Sequence, residues 1–240
     1  MKKFYLFCWL MLAAAVLRAQ DGIHVSLMGA PQNTWIFNRQ PLDTARTNFD
    51  YEITWGFAGM LELGYNFGPP FGLRTGAIYS SQGQRFTSND STGRSIATRR
   101  QLTYLKIPLL LHFNSDPGPV MFTLEVGPQI GLLLNSEVSD DGTPVIFPFD
   151  ADQLYQVNDI SFAWSIGAAF ALTKGVQFVI QHRGDYSLFD VENKSFTFQG
   201  QTIYDINRDR ALNCTLGIMA GFDFSFVPGR GNRGYKWWIR

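Results

Sequence analysis

Apolar and polar side chains alternate with a period of two through most of this chain, and the clearest run lies between Leu102 and Leu134. In a first segment Leu105, Ile107, Leu109, Leu111 and Phe113 share one face, and Tyr104, Lys106, Pro108, Leu110 and His112 the other. In a second, Phe122, Leu124, Val126, Pro128, Ile130, Leu132 and Leu134 oppose Thr123, Glu125, Gly127, Gln129 and Gly131. A period of two belongs to strands and not to helices. The connecting stretch 114–119 reads Asn-Ser-Asp-Pro-Gly-Pro, all residue types that favour turns. The pair is predicted to form a hairpin whose strands match the ~9–11 residues that a tilted strand needs to cross a bilayer.

Six further segments read the same way. Ile23, Val25 and Leu27 alternate with His24, Ser26 and Met28, in a strand predicted to fade near Trp35. From Tyr51 to Phe67, Ile53, Trp55, Phe57, Leu61, Leu63, Tyr65 and Phe67 oppose Thr54, Gly56, Met60, Glu62 and Gly64. After Gly68-Pro69-Pro70, Phe71, Leu73, Thr75, Ala77 and Tyr79 oppose Arg74, Gly76, Ile78, Ser80 and Gln82. Beyond the central hairpin, Phe162, Trp164, Ile166, Ala168, Phe170 and Leu172 oppose Ser161, Ala163, Ser165, Gly167 and Ala169. Thr173-Lys174-Gly175 turns into a strand with Val176, Phe178 and Ile180 against Gln177, Val179, Gln181 and Arg183. The last strand sets Leu212, Cys214, Leu216, Ile218, Ala220, Phe222, Phe224 and Phe226 against Asn213, Thr215, Gly217, Gly221 and Asp223.

The strands number eight, and their connections alternate strictly between long (36–50, 84–100, 135–159, 187–210) and short (67–71, 114–119, 173–175). This is the asymmetry of outer-membrane barrels. The predicted fold is all-β: an eight-stranded antiparallel up-and-down transmembrane β-barrel with short periplasmic turns, long extracellular loops and both ends on the periplasmic side. A soluble barrel of the lipocalin kind is the structural rival. It would turn Gly56, Gly64, Gly76, Gly127, Gly131, Gly167, Gly217 and Gly221 toward water, where glycine weakens strands and covers nothing. Inside a narrow barrel glycine makes room for larger side chains. Aromatics also recur near the strand ends of the apolar face, as Phe67, Phe71, Phe113, Phe122 and Phe178 at the turn end and Trp55, Tyr79 and Trp164 toward the loops. Such positions match two interfacial girdles.

The ends fit this picture. Met1-Lys2-Lys3, an apolar run from Phe4 to Leu17, and a plausible cut after Ala19 read as a secretory signal over 1–19. The barrel is expected over 20–226, followed by a basic and aromatic periplasmic tail over 227–240. The chain carries 20 Lys+Arg and 20 Asp+Glu. Residues 1–19 hold three of the bases and no acid, which leaves 17 against 20, a net charge of −3. That balance predicts no nucleic-acid partner. Only Cys214 remains after cleavage, so neither an intramolecular disulfide nor a zinc spacing exists.

The run Tyr104-Leu105-Lys106-Ile107-Pro108-Leu109-Leu110-Leu111, the run Val126-Gly127-Pro128-Gln129-Ile130-Gly131-Leu132-Leu133-Leu134, and Leu73 to Arg85 together resemble the PorT-like outer-membrane β-barrel domain of Bacteroidetes. The resemblance spans about Ile23 to Phe226. It implies an outer-membrane barrel and, through the member for which the family is named, a link to protein secretion. One departure is that Gly221-Phe222-Asp223-Phe224-Ser225-Phe226 looks like a terminal strand, yet the chain continues to Arg240.

Alternation places Glu62, Arg74, Lys106, Glu125, Arg183 and Asp223 in the lumen with His24 and His112. Neighbours across the short turns are expected to pair, Glu62 with Arg74 and Lys106 with Glu125, forming a salt-bridged plug. His182, Asp185 and Ser187 at the loop end of the seventh strand are the candidates for a small lipid-modifying hydrolase, although they lack motif spacing. The acidic loop 135–159 has no calcium-loop spacing, so neither metal nor cofactor is predicted. Its apolar stretch with Phe147 and Phe149 is a candidate partner contact. Arg94, Arg99 and Arg100 are candidates for lipopolysaccharide phosphates. Arg230, Arg233, Lys236, Trp237 and Trp238 of the tail are candidates for an anionic leaflet or a periplasmic protein. The expected function is that of a non-enzymatic scaffold or accessory subunit in secretion or envelope assembly, with a lipid-modifying enzyme and then a narrow solute channel as alternatives.

Overall fold

The structure, a computed structural model, describes residues 22–38, 47–68, 70–89, 93–115, 118–140, 142–144, 154–173, 175–193, 195–198, 201–204 and 211–226. Eight long strands form the wall: β1 (Ile23–Asn38), β3 (Thr54–Gly68), β4 (Phe71–Asn89), β5 (Ser95–Asn114), β6 (Val120–Asp140), β8 (Asn158–Thr173), β9 (Val176–Ser187) and β12 (Ala211–Phe226). Each pairs antiparallel with its sequence neighbour, and β1 pairs with β12 from Ile23↔Phe226 to Asn38↔Ala211, so the sheet closes on itself. Closure leaves the wall without edge strands, the condition for strands in hydrocarbon. Four short strands lie at the loop end: β2 (Thr47–Glu52) on β4, β7 (Thr143–Pro144) on β6, and β10 (Ser195–Phe198) paired with β11 (Gln201–Tyr204).

The alternation read from the sequence sets the two faces. Ile53, Trp55, Phe57, Leu61 and Leu63 of the second predicted strand all point outward, and Phe122 is 69 % exposed. On the inner side Glu62, Lys106 and Glu125 are buried. A belt of exposed apolar side chains this broad is unstable against water and needs a lipid solvent. On the periplasmic side Phe170, Phe178 and Phe222 form an aromatic row, with centroids 6.4 and 5.8 Å apart.

Several boundaries differ from expectation. The first strand continues to Asn38, and β4 and β5 stay paired up to Asn89↔Ser95, so most of the stretch 84–100 is hairpin and not loop. Likewise β6 runs to Asp140. Polar composition misled here, because a sheet that rises above the bilayer needs no apolar face. A bulge at Leu134 lies between Tyr104↔Leu133 and Thr103↔Asn135 and shifts the parity of β6, which turns Ser136 inward.

Three prolines sit inside wall strands, and each interrupts the ladder on one flank only. Pro31 pairs with Phe57 while the β12 ladder is broken; Pro108 pairs with Gln129 while the β4 ladder is broken; Pro128 pairs with Phe162 while the β5 ladder is broken. The flank lost is the one that a proline nitrogen cannot serve. At Pro108 the freed carbonyl is taken by the Thr75 hydroxyl at 2.8 Å.

The inward glycines serve two purposes. At Gly64 a Cβ would overlap the Arg74 guanidinium, so this glycine gives room to a luminal side chain. At Gly127 it would overlap the Leu109 carbonyl of the neighbouring strand, so there glycine permits close strand approach at the Pro128 interruption.

Candidate functional site

The lumen is filled by polar side chains from all eight wall strands together with an apolar cluster that includes Met28, Met60, Ile78 and Met219. Toward the periplasmic end, direct cross-strand neighbours Ser26 and Asp223 meet, and the Ser26 hydroxyl donates to Asp223 Oδ1 at 2.7 Å. His24 Nδ1 lies 2.9 Å from the other carboxylate oxygen. Asn66 Nδ2 donates to His24 Nε2 at 3.0 Å, and Arg74 Nη1 donates to Asn66 Oδ1 at 2.8 Å. Arg74 Nε also stands 3.7 Å from Glu62 Oε1.

A second set centres on Glu125. Its register row, His112↔Glu125↔Ser165↔Arg183, supplies all its partners. His112 Nδ1 lies at 3.0 Å, the Ser165 hydroxyl donates at 2.7 Å, and Arg183 Nη1 stands at 3.8 Å. Arg183 Nη2 also donates to Gln129 Oε1 at 3.1 Å.

The expected pairing of Lys106 with Glu125 is corrected. Lys106 Nζ instead reaches Asp185, 2.9 Å from both carboxylate oxygens, and Thr215 donates to the same carboxylate at 2.8 Å. The reason is geometric: Lys106 faces Gly131 in register, and a lysine is long enough to span a narrow barrel rather than serve a neighbour. Above this pair Asp159 accepts from Ser187 at 2.8 Å and from Asn213 at 3.2 Å. A cavity of about 10 Å³ beside Lys106, Arg183 and Asp185 has room for roughly one water molecule.

The loop end of the lumen is covered. Tyr155 and Glu192 form an antiparallel bridge, extended by Gln156 N to Val191 O at 2.8 Å and Asn193 N to Leu154 O at 2.9 Å. Tyr155 and Val191 pack against Ile36, Leu102, Tyr104 and Ala211, which line the mouth. Arg100 Nη1 donates to the buried Glu192 carboxylate at 2.6 Å, and its guanidinium lies 5.4 Å from the Phe86 ring centre. These contacts make a lid. Its residues lie in segments that the sequence reading treated as loops, with no periodic signal to mark them.

Arg100, expected to meet lipid phosphates, is therefore corrected to a luminal lid contact, while Arg99 beside it points outward and is exposed. One residue of register separates the two roles. The hydrolase set is also split. His182 is exposed on the lipid-facing side, whereas Asp185 and Ser187 are buried in the lumen, so the wall stands between them. Phe147, Phe149, Arg230, Arg233, Lys236, Trp237, Trp238 and residues 1–19 lie outside the described residues. Among the described residues no group of three or more metal-ligating side chains occurs.

A closed barrel with an apolar outer belt and a charged centre defines the class of integral outer-membrane β-barrels. A family model, the outer membrane protein beta-barrel domain, matches residues 19–193, and the chain belongs to that family. The protein resides in the outer membrane. Solved structures agree on the fold. The outer membrane protein OprG from Pseudomonas aeruginosa superposes with a TM-score of 0.50 at 10 % identity, over 87 % of this chain and 97 % of its own. The outer membrane protein AlkL, solved in lipid bilayers, superposes with a TM-score of 0.50 at 12 % identity, over 89 % and 94 %. No functionally curated protein matches the sequence.

Proposed function

We propose that this protein is a closed, non-enzymatic scaffold of the outer membrane, acting as an accessory subunit in protein secretion or envelope assembly in the manner implied by its PorT-like motifs. One observation carries the reading: the lumen is filled by ion-paired and hydrogen-bonded side chains from Asp223 to Asp159 and then capped by the Tyr155–Glu192 lid. Conduction would require breaking several buried ion pairs, each costing about 3–5 kcal/mol when a partner is lost. Separation of His182 from Asp185 and Ser187 by the wall supports a non-enzymatic role. The surfaces left for function are the outer belt and the hairpins above it.

Purified protein in planar bilayers is expected to give no unitary conductance steps. Chemical crosslinking in native membranes is expected to recover a protein partner, with residues 227–240 tested by deletion. Reproducible single-barrel conductance, or absence of any partner from both the full and the shortened chain, overturns the reading.

A further inference from the structure

Toward the loop end, β4, β5 and β6 continue as a sheet whose outward side chains form rows across the strands. On β4 and β5 the last apolar outward pair is Tyr79 and Leu105, which are register partners. Two residues higher, Ser81, Thr103 and Asn135 align; next come Gln101 and Glu137; and above them Arg85 pairs with Arg99, which pairs with Ser139. Gln101 donates to the Ser81 hydroxyl at 3.3 Å, and Asn135 donates to Glu137 at 2.9 Å. Arg85 and Arg99 thus stand directly opposite each other on adjacent strands, both exposed. Like charges in that position destabilise a sheet. Glu52 offsets one of them, 3.1 Å from Arg85 Nε, whereas Arg99 makes no ion pair among the described residues. Arg99 is thus aimed outward with no ion-pair partner among the described residues, on the same face that meets lipid lower down.

We propose that this face binds the phosphorylated sugar headgroup of the outer-leaflet glycolipid, lipopolysaccharide, with Arg85 and Arg99 holding a phosphate between them. The side of the membrane selects this ligand: long loops lie outside, so outward side chains at the loop end meet the outer leaflet. Exposed Phe57, the register partner of Ser81, and Trp55 and Ile53 beyond it keep the adjoining β3 apolar toward this level, so the arginines stand at the membrane surface, where headgroup phosphates lie. A glycolipid with several sugars presents phosphates there, and Ser81, Gln101 and Asn135 below the arginines would face its sugars. Guanidinium groups suit phosphate because each can donate two parallel hydrogen bonds.

The test reconstitutes the full protein in nanodiscs that contain phospholipid with either phosphorylated lipopolysaccharide or its enzymatically dephosphorylated form, and counts retained glycolipid by native mass spectrometry. Wild type is expected to retain the phosphorylated form. R85Q/R99Q is expected to retain it at least about tenfold more weakly, the loss of two exposed charge-assisted contacts, with unchanged heat-modifiability on semi-native gels. R100Q, which alters the inward face, is expected to retain glycolipid as wild type does. Equal retention of the dephosphorylated form, or wild-type retention by R85Q/R99Q, overturns the proposal. Saturation of wild type in detergent by millimolar inorganic phosphate, with the glycolipid displaced, would mark a general anion site and overturns it too.

Discussion

Lys106 on β5 and Asp185 on β9 meet across the lumen, with the lysine Nζ 2.9 Å from both carboxylate oxygens. Their strands are separated by β6 and β8 in the sheet, so this contact spans the lumen and does more than local pairing to hold the barrel's cross-section. Replacing Lys106 by Met leaves Asp185 buried with only Thr215 as a donor. The expected loss is about 3–5 kcal/mol, the cost of stranding one partner of a buried pair. The double change Lys106→Met, Asp185→Leu removes both charges and is expected to recover most of that loss. Urea unfolding in lipid vesicles, followed by tryptophan fluorescence, compares the three proteins; a single variant as stable as wild type refutes the cross-lumen role.

The pairing rule that led from sequence to Lys106–Glu125 worked for Glu62 and Arg74, which lie 3.7 Å apart. It failed for Lys106 because period-two alternation tells which face a side chain occupies and nothing about reach across a lumen. The strand count, the inward and outward faces and the closure were all legible, since lipid outside and a packed centre inside impose one strong binary pattern. Above the membrane that contrast vanishes. There the strand extensions of β4, β5 and β6, the bulge at Leu134 and the lid at Tyr155 and Glu192 carry no periodic signature, because polar side chains suit both faces of a sheet in water.

The lid is predicted to be a separable unit. Glu192 is 2 % exposed and its carboxylate is held by Arg100. Glu192→Ala removes that contact but touches no wall pairing, so the loss is confined to the lid. Hydrogen exchange of the amides of Gln156, Val191 and Asn193 is expected to rise by at least about tenfold, the equivalent of 1.4 kcal/mol of local opening. Amides within β8 and β12 should keep wild-type protection. Uniform loosening of the whole barrel would contradict a separable lid.

Two glycines separate close strand approach from mere tolerance. A Cβ at Gly127 would overlap the Leu109 carbonyl, whereas one at Gly59 would meet only the Phe57 ring, at 3.7 Å. Gly127→Ala is therefore expected to cost about 1–3 kcal/mol, the range for overpacking. Gly59→Ala should stay within about 0.5 kcal/mol of wild type. Folding yield into vesicles and urea midpoints give both numbers; equal effects would mean that the neighbouring strand yields freely.

Thr75 offers the sharpest test of the membrane reading, because its side chain faces hydrocarbon and yet is polar. Pro108 breaks the β4–β5 ladder, and the Thr75 hydroxyl donates to the Pro108 carbonyl at 2.8 Å. A carbonyl left without a donor in lipid has no water to turn to. Thr75→Val keeps the shape and adds apolar surface toward the acyl chains, a change that by lipid solvation alone would stabilise. The loss of the hydrogen bond is expected to dominate, lowering stability by about 1–3 kcal/mol. Thr75→Ser keeps the donor and should fall much closer to wild type. If Thr75→Val raises the urea midpoint in vesicles while Thr75→Ser lowers it, the carbonyl has another partner and the compensation assigned to Thr75 is wrong.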